Sequence, residues 1–138
     1  MMLLSVGLMD DDAAFQKALK WVDGQIARVE QGPKFGDDGA MRFAALDALE
    51  AGEAVLTKYG SRPATHRVLG RIHQALGEYS EASAAFELGA QPALATRARE
   101  FAQVKSQFQA DHPKRFVVSM VRIAEGGKIR WVIAHGDR

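Results

Sequence analysis

The segment Leu69–Gly89, LGRIHQALGEYSEASAAFELG, constrains the fold of this chain more than any other stretch. Its large apolar residues recur three or four positions apart, which predicts a helix over about 63–76 and a second helix over about 79–88. Gly77 ends the first helix, and only Glu78 stands between that glycine and the second helical pattern. Because so short a connection folds the chain back on itself, the sequence predicts an antiparallel pair of helices.

Three further helices flank this pair. Apolar residues at alternating steps of four and three, starting at Phe15, predict a helix that runs to about Gln31. A loop with three glycines and a proline follows. Helical patterns over about 40–59 and about 92–110 complete the set, so five helices are expected.

The N-terminus begins with an apolar run over residues 1–9, which is followed by Asp10–Asp12. The run has no basic flank and is too short to span a bilayer, so we interpret it neither as a signal peptide nor as a membrane anchor. Aspartates are typical of helix starts. We therefore expect the first helix to begin at the aspartates, after a strand-like or irregular lead-in.

Composition narrows the class of protein. The chain has 138 residues, a net charge of +1 and no cysteine. Its cations are spread along the sequence, which argues against a nucleic-acid partner. The absence of cysteine excludes disulfides and thiolate metal sites. These features predict a soluble cytoplasmic protein that binds neither a membrane nor a nucleic acid.

The helix pair resembles the tetratricopeptide repeat (TPR), whose pattern is W-x2-L-G-x2-Y, then A-x3-F, then P. Leu69 and Gly70 match the L-G pair, and Ala82 and Phe86 match A-x3-F at the family's distance. The match covers about 63–96. The sequence departs from the pattern at the Trp, Tyr and Pro positions, which hold His66, His73 and Leu94.

The resemblance implies a fold of antiparallel helix pairs stacked as a short α-α superhelix, here over residues 1–113. Gly70 and Ala82 are small where the helices would cross closely, and Phe86 would fill the gap toward the next helix. The family's function would be non-catalytic protein binding, with a peptide or partner protein held on the concave face of the stack.

Candidate binding residues lie on the third predicted helix, turned away from its apolar face. They are Arg67, Arg71 and Gln74, and the two arginines are one helical turn apart. Family members that grip a C-terminal carboxylate place cationic and amide side chains at comparable positions, so an acidic peptide is the expected partner. The alternative is that the two arginines merely belong to a solvated face.

No catalytic, cofactor or metal site is predicted. His66 and His73 are seven positions apart, whereas histidine ligands on one helix are usually four apart and need a further ligand. Both occupy aromatic core positions of the repeat, which favours packed, hydrogen-bonded histidines. A small enzyme with a histidine-lined site has no motif to support it.

Residues 114–138 change from helical to strand character. Apolar, β-rich runs over 116–124 and 129–134 flank a Gly-Gly turn, which predicts a C-terminal β-hairpin. The register pairs Glu125 with Lys128, Arg122 with Trp131, and Met120 with Ile133. One face therefore carries Met120, Arg122, Trp131 and Ile133, and the opposite face carries Val117, Val121, Ile123 and Val132.

Both faces of the hairpin are largely apolar, and an isolated two-stranded hairpin is marginal in water. One face is expected to pack on the fifth helix. We predict that the face with Met120, Arg122, Trp131 and Ile133 is a second contact surface, serving a homodimer or the addition of a partner strand to an edge. The alternative is an accessory domain or fragment of a larger enzyme or secretion assembly whose sheet includes the hairpin.

Overall fold

The computed structural model describes residues 2–32 and 38–138. The described chain is mainly α-helical with a C-terminal two-stranded antiparallel sheet, which confirms the predicted fold class. In chain order its elements are α1 (Met2–Glu30), α2 (Asp38–Tyr59), α3 (Pro63–Ala75), α4 (Tyr79–Leu88), α5 (Pro92–Asp111), β1 (Arg115–Glu125) and β2 (Lys128–Asp137).

The predicted lead-in is wrong, because α1 begins at Met2 and runs through the three aspartates. Methionine and leucine, which make up most of residues 1–9, are good helix formers and carry the helix past the expected start. Asp12 accepts a hydrogen bond at 2.9 Å from a guanidinium nitrogen of Arg62 instead of capping α1. Most of the predicted glycine loop, residues 33–37, lies outside the described chain.

The main core lies where α1, α2 and α3 meet. The α1 residues with the predicted spacing, Phe15, Leu19, Val22 and Ile26, are all buried against α2 and α3. On α2 the most buried positions are small residues such as Ala45 and Ala48, while Phe43 is 72% exposed. Because α2 meets its neighbours through small side chains, the helices approach closely.

Small residues also set the contact between α3 and α4. A Cβ atom added to Gly70 would lie 2.6 Å from the ring of Phe86, so the two helices touch at this position. Phe86 is 2% exposed and packs with Ala82, Ala95 and Ala98, which carries the contact on to α5. The predicted close crossing is therefore present at Gly70, and Ala82 is fully buried beside Phe86 on the side toward α5.

The ends of α3 and α4 use glycine differently. Gly77 has a φ of 76°, and the N–H of Glu78 donates to the carbonyl of His73 at 2.9 Å, as in a glycine-ended helix. After α4, the left-handed residue is Ala90, with a φ of 58°. Its neighbour Gly89 is small for a steric reason, since an added Cβ would lie 2.7 Å from Cγ of Arg67.

The hairpin has the predicted register from the turn to Met120, including the pairs Glu125–Lys128 and Arg122–Trp131. Beyond Met120, a β-bulge lies between Val117 and Ser119. One extra residue reverses the alternation of side chains, so Val117 packs on the same face as Met120. The prediction that placed Val117 on the opposite face is wrong for this reason.

Candidate functional site

The predicted binding arginines have different surroundings. The guanidinium of Arg71 is paired with two α1 carboxylates, those of Asp23 and Glu30, and its Nε donates to both oxygens of Glu30 at 3.2 Å. The hydrogen bonds that Arg71 donates, first to Glu30 and then to Asp23, raise the pKa of its guanidinium above the ordinary value. Arg71 therefore joins α3 to α1, and its charge is already balanced within the chain.

Arg67 is exposed, and its Nε donates to the carbonyl of Gly89 at 2.6 Å. That bond satisfies one backbone acceptor at the end of α4 and leaves the positive charge without a carboxylate partner in the described part of the chain. Gln74 is partly exposed on the same helix, outside the groove that borders Arg67. The three predicted residues therefore differ: Arg67 has no carboxylate partner among the described residues, Arg71 is ion-paired, and Gln74 lies outside the groove.

A groove of about 650 Å³ lies between α1 and α3, and we call it the α1–α3 groove. Leu19, Ala64 and Val68 provide its apolar surface, and the polar side chains around it are those of Gln16, Lys17, Lys20, Asp23 and Arg67. Asp23 is the carboxylate that pairs with Arg71. The remaining charges around the groove are all positive.

Sequence reasoning missed Lys17 and Lys20, which are exposed and one helical turn apart on α1. The TPR resemblance carried the signal, because it implies that the first helices of successive pairs line one face. Because α1 lies beside α3, Lys17 and Lys20 border the same groove as Arg67. Arg71, which was predicted from α3 alone, lies in an internal ion pair instead.

A smaller cavity of about 370 Å³ lies between the start of α4 and α5. Its one cation, Lys105, donates from Nζ to the carbonyl of Gly77 at 2.9 Å. The carboxylates beside it, Glu78 and Glu81, lie in the exposed turn before α4 and in its first turn. Lys105 is thus already hydrogen-bonded to the turn between α3 and α4. The residues that line this cavity do not form a recognisable catalytic group.

The histidines are satisfied by neighbouring side chains. His66 is 7% exposed, and its Nε2 lies 2.7 Å from the hydroxyl of Ser61. His73 Nδ1 lies 3.0 Å from a carboxylate oxygen of Glu78. These contacts confirm a packed, hydrogen-bonded histidine at His66, whereas His73 is hydrogen-bonded but only partly buried. Among the side chains that the structure describes, those of residues 11–32 and 39–138, there is no group of three or more histidine, aspartate or glutamate residues placed to hold a metal ion.

The four residues predicted to form the hairpin contact surface all lie on the face turned toward α5. Met120 is 7% exposed in a cluster with Tyr79 and Phe101, against which Trp131 and Ile133 also pack. Arg122 Nε donates at 2.9 Å to a carboxylate oxygen of Glu100 on α5. This face therefore packs on α5 within the chain and is not free for a partner, contrary to the prediction that these four residues form a second contact surface, because their apolar side chains are already covered by Tyr79 and Phe101.

No family model, no curated protein and no solved structure matches this chain. The likeness to the TPR therefore stands on the residues of the α3–α4 pair and on their spacing. Among the described helices, none combines the length and the apolar character needed to cross a lipid bilayer.

Proposed function

We propose that this chain is a TPR-like, non-catalytic scaffold that holds an acidic peptide, or an acidic segment of a partner protein, in the α1–α3 groove. The main support is the charge of the groove. Asp23, the one carboxylate among the residues that line it, is ion-paired with Arg71, so the charged side chains without a partner in the described chain are all cations.

The shape and chemistry of the groove suit a peptide that alternates acidic and apolar residues. Leu19, Ala64 and Val68 would contact the apolar side chains of the peptide. Lys17 and Lys20 would pair with its carboxylates from the α1 side of the groove. Arg67 would meet them from the other side, through the guanidinium nitrogens that do not contact Gly89. Electrostatic complementarity of this kind increases the association rate and selects the partner.

The test compares two fluorescent peptides of equal length, one alternating Glu with Leu and one alternating Lys with Leu, by fluorescence anisotropy. The Glu-Leu peptide should bind more tightly, and the double variant Lys17→Glu, Lys20→Glu should weaken that binding by about tenfold or more. Lysines are chosen because reversing Arg71 would place a carboxylate against Asp23 and Glu30 and disturb the fold.

The matched control is Arg97→Glu with Lys114→Glu, which makes the same change in net charge at two exposed positions outside the groove. It should bind the Glu-Leu peptide like the unmodified chain. Equal binding of the two peptides, or an equal loss in the control, would refute the acidic-peptide proposal.

The outward face of the hairpin favours a second candidate function, that of an accessory domain in a larger enzyme or secretion assembly. Val121 and Val132 are paired there across the strands and are 53% and 44% exposed. Both outer edges of the two-stranded sheet are also unpaired in the described chain. A foreign strand added to the hairpin edge would show as new amide protection in hydrogen exchange when the candidate partner is mixed in.

A further inference from the structure

The hairpin presents an apolar and basic outer face. Phe116, Val118, Val121 and Val132 are between 41% and 57% exposed. Lys128 and Arg130 follow toward the turn on the same face, and they make no ion pair with the described part of the chain. Glu125 lies opposite Lys128. Residues 112–138 contain six Lys and Arg against two Asp and Glu, a net charge of +4.

The exposed face of α2 has the opposite charge. It begins with Phe43 and Leu46, which are 72% and 39% exposed. It continues with Asp47, Glu50 and Glu53, which are exposed and form no ion pair among the described residues. We call these five residues the α2 surface.

The two surfaces lie at opposite ends of the molecule. Each helix packs mainly on its neighbours in the sequence, α1 and α2 form one end of the stack, and the hairpin packs on α5 at the other. Helical stacks normally finish in polar faces that keep them soluble. Here each end exposes apolar side chains beside unpaired charge, and the two surfaces are opposite in net charge, with Arg42 an exposed cation beside Phe43 on α2.

We infer that a second copy of this chain docks head to tail, its hairpin outer face on the α2 surface of the first copy. The order of side chains matches in the two surfaces. On α2, apolar residues give way to carboxylates over about 15 Å from Phe43 to Glu53. On β2, Val132 gives way to Arg130 and Lys128 over about 13 Å.

Docking in this direction would set valines against Phe43 and Leu46, and cations against Glu50 and Glu53. The contact is heterologous, since two different surfaces of the same chain meet. Such contacts add further copies until a ring closes. Self-association that grows beyond a dimer with concentration is therefore the expected behaviour.

The experiment is sedimentation velocity of the full chain over a range of concentrations, with three proteins compared. The first is the unmodified chain, the second carries Glu50→Lys and Glu53→Lys, and the third carries Lys128→Glu and Arg130→Glu. Each variant alone brings like charges together at the head-to-tail contact, so its self-association should weaken by about tenfold or more. Circular dichroism establishes that each variant is folded.

Mixing the two variants is the decisive step. The basic hairpin of the second protein then meets the unmodified acidic α2 of the third, and the two reversed surfaces also complement each other. The mixture should associate where neither variant does alone. As a variant without charge change, Phe43→Ser should weaken self-association of the otherwise unmodified chain, because Phe43 is exposed and its loss leaves the core intact.

Three outcomes would overturn the inference. The first is that the unmodified chain stays monomeric at every concentration, which would leave the two ends to partners of another kind. The second is that the Glu50→Lys, Glu53→Lys variant associates like the unmodified chain, as a symmetric hairpin-to-hairpin dimer would. The third is that the mixture of the two variants fails to associate although both are folded.

Discussion

Gly70 shows how a single side chain sets the distance between two helices. The ring of Phe86 occupies the space where a Cβ atom would stand, and Phe86 in turn fills the gap toward α5. Gly24, on α1, is also helical but has nothing within 4 Å of an added Cβ. The two glycines therefore have opposite consequences for substitution.

We predict that Gly70→Ala lowers the free energy of unfolding by about 1–3 kcal/mol, because the added methyl must displace a buried aromatic ring. Gly24→Ala should raise it by about 0.5–1 kcal/mol, because alanine is the better helix former at an unobstructed position. Urea unfolding of both variants measures the difference. A Gly70→Ala protein as stable as the unmodified chain would contradict the close contact.

Arg71 is the residue for which sequence reasoning and structure differ most. Its spacing from Arg67 indicated two adjacent cations, and that adjacency follows from the helical repeat alone. Nothing local indicates that Asp23 and Glu30, which are 48 and 41 residues away, close on its guanidinium. Pairing across such a separation depends on how α1 packs against α3, so a free and a paired arginine look the same in sequence.

The hairpin owes its orientation on α5 to contacts from both strands. The ring of Trp131 on β2 lies edge-on to Phe101, with centroids 4.8 Å apart, and Arg122 on β1 bonds to Glu100. These contacts cover one face of a two-stranded sheet that would be marginal by itself. The hairpin is therefore expected to depend on α5 for its order.

At the scale of this element, Trp131→Ala should destabilise the docked hairpin by about 2 kcal/mol, since it removes a half-buried ring at the contact. Hydrogen exchange should then show faster exchange of the β1 and β2 amides while the amides of α3 and α4 stay protected. Ile129→Ala is the matched control, because Ile129 is on the same strand and is 51% exposed. Equal loss of protection in the two variants would argue against anchoring through Trp131.

Three clusters of buried residues hold the described part of the chain together. One lies mainly between α1, α2 and α3, the second joins α4 to α5 around Phe86, and the third joins α4, α5 and the hairpin around Tyr79. Tyr79 is 8% exposed, and its ring lies 5.0 Å from that of Phe101. Burial raises the pKa of Tyr79 above its ordinary value of 10.0.

A raised pKa in the folded state means that the folded protein holds the phenolic proton more tightly than the unfolded chain. The stability this provides is complete below pH 10 and is lost as the pH rises through the folded-state pKa. The free energy of unfolding should therefore fall more steeply between about pH 9 and about pH 11 in the unmodified chain than in Tyr79→Phe.

Urea unfolding across this pH range measures the effect. Tyr59→Phe, which removes the other of the two tyrosines but keeps Tyr79, is the control and should follow the unmodified chain. Parallel curves for Tyr79→Phe and the unmodified chain would show that Tyr79 does not provide the alkaline sensitivity.

Local patterns in the sequence determined the five helices, the turn at Gly77, the close crossing at Gly70 and the hairpin register near its turn. Each of these depends on residues within a few positions of one another, where periodicity, glycine and turn chemistry dominate the free energy. The same reasoning was wrong at the N-terminus, where good helix formers outweighed the capping signal of the aspartates.

Only the tertiary structure decided which charges are paired, which hairpin face is covered and where a groove opens. Lys17 and Lys20 border the α1–α3 groove because α1 lies beside α3, and Val117 turns toward α5 because of one bulged residue. These features depend on contacts between segments far apart in the chain. Their free energies come from packing and desolvation, which no local spacing of residues encodes.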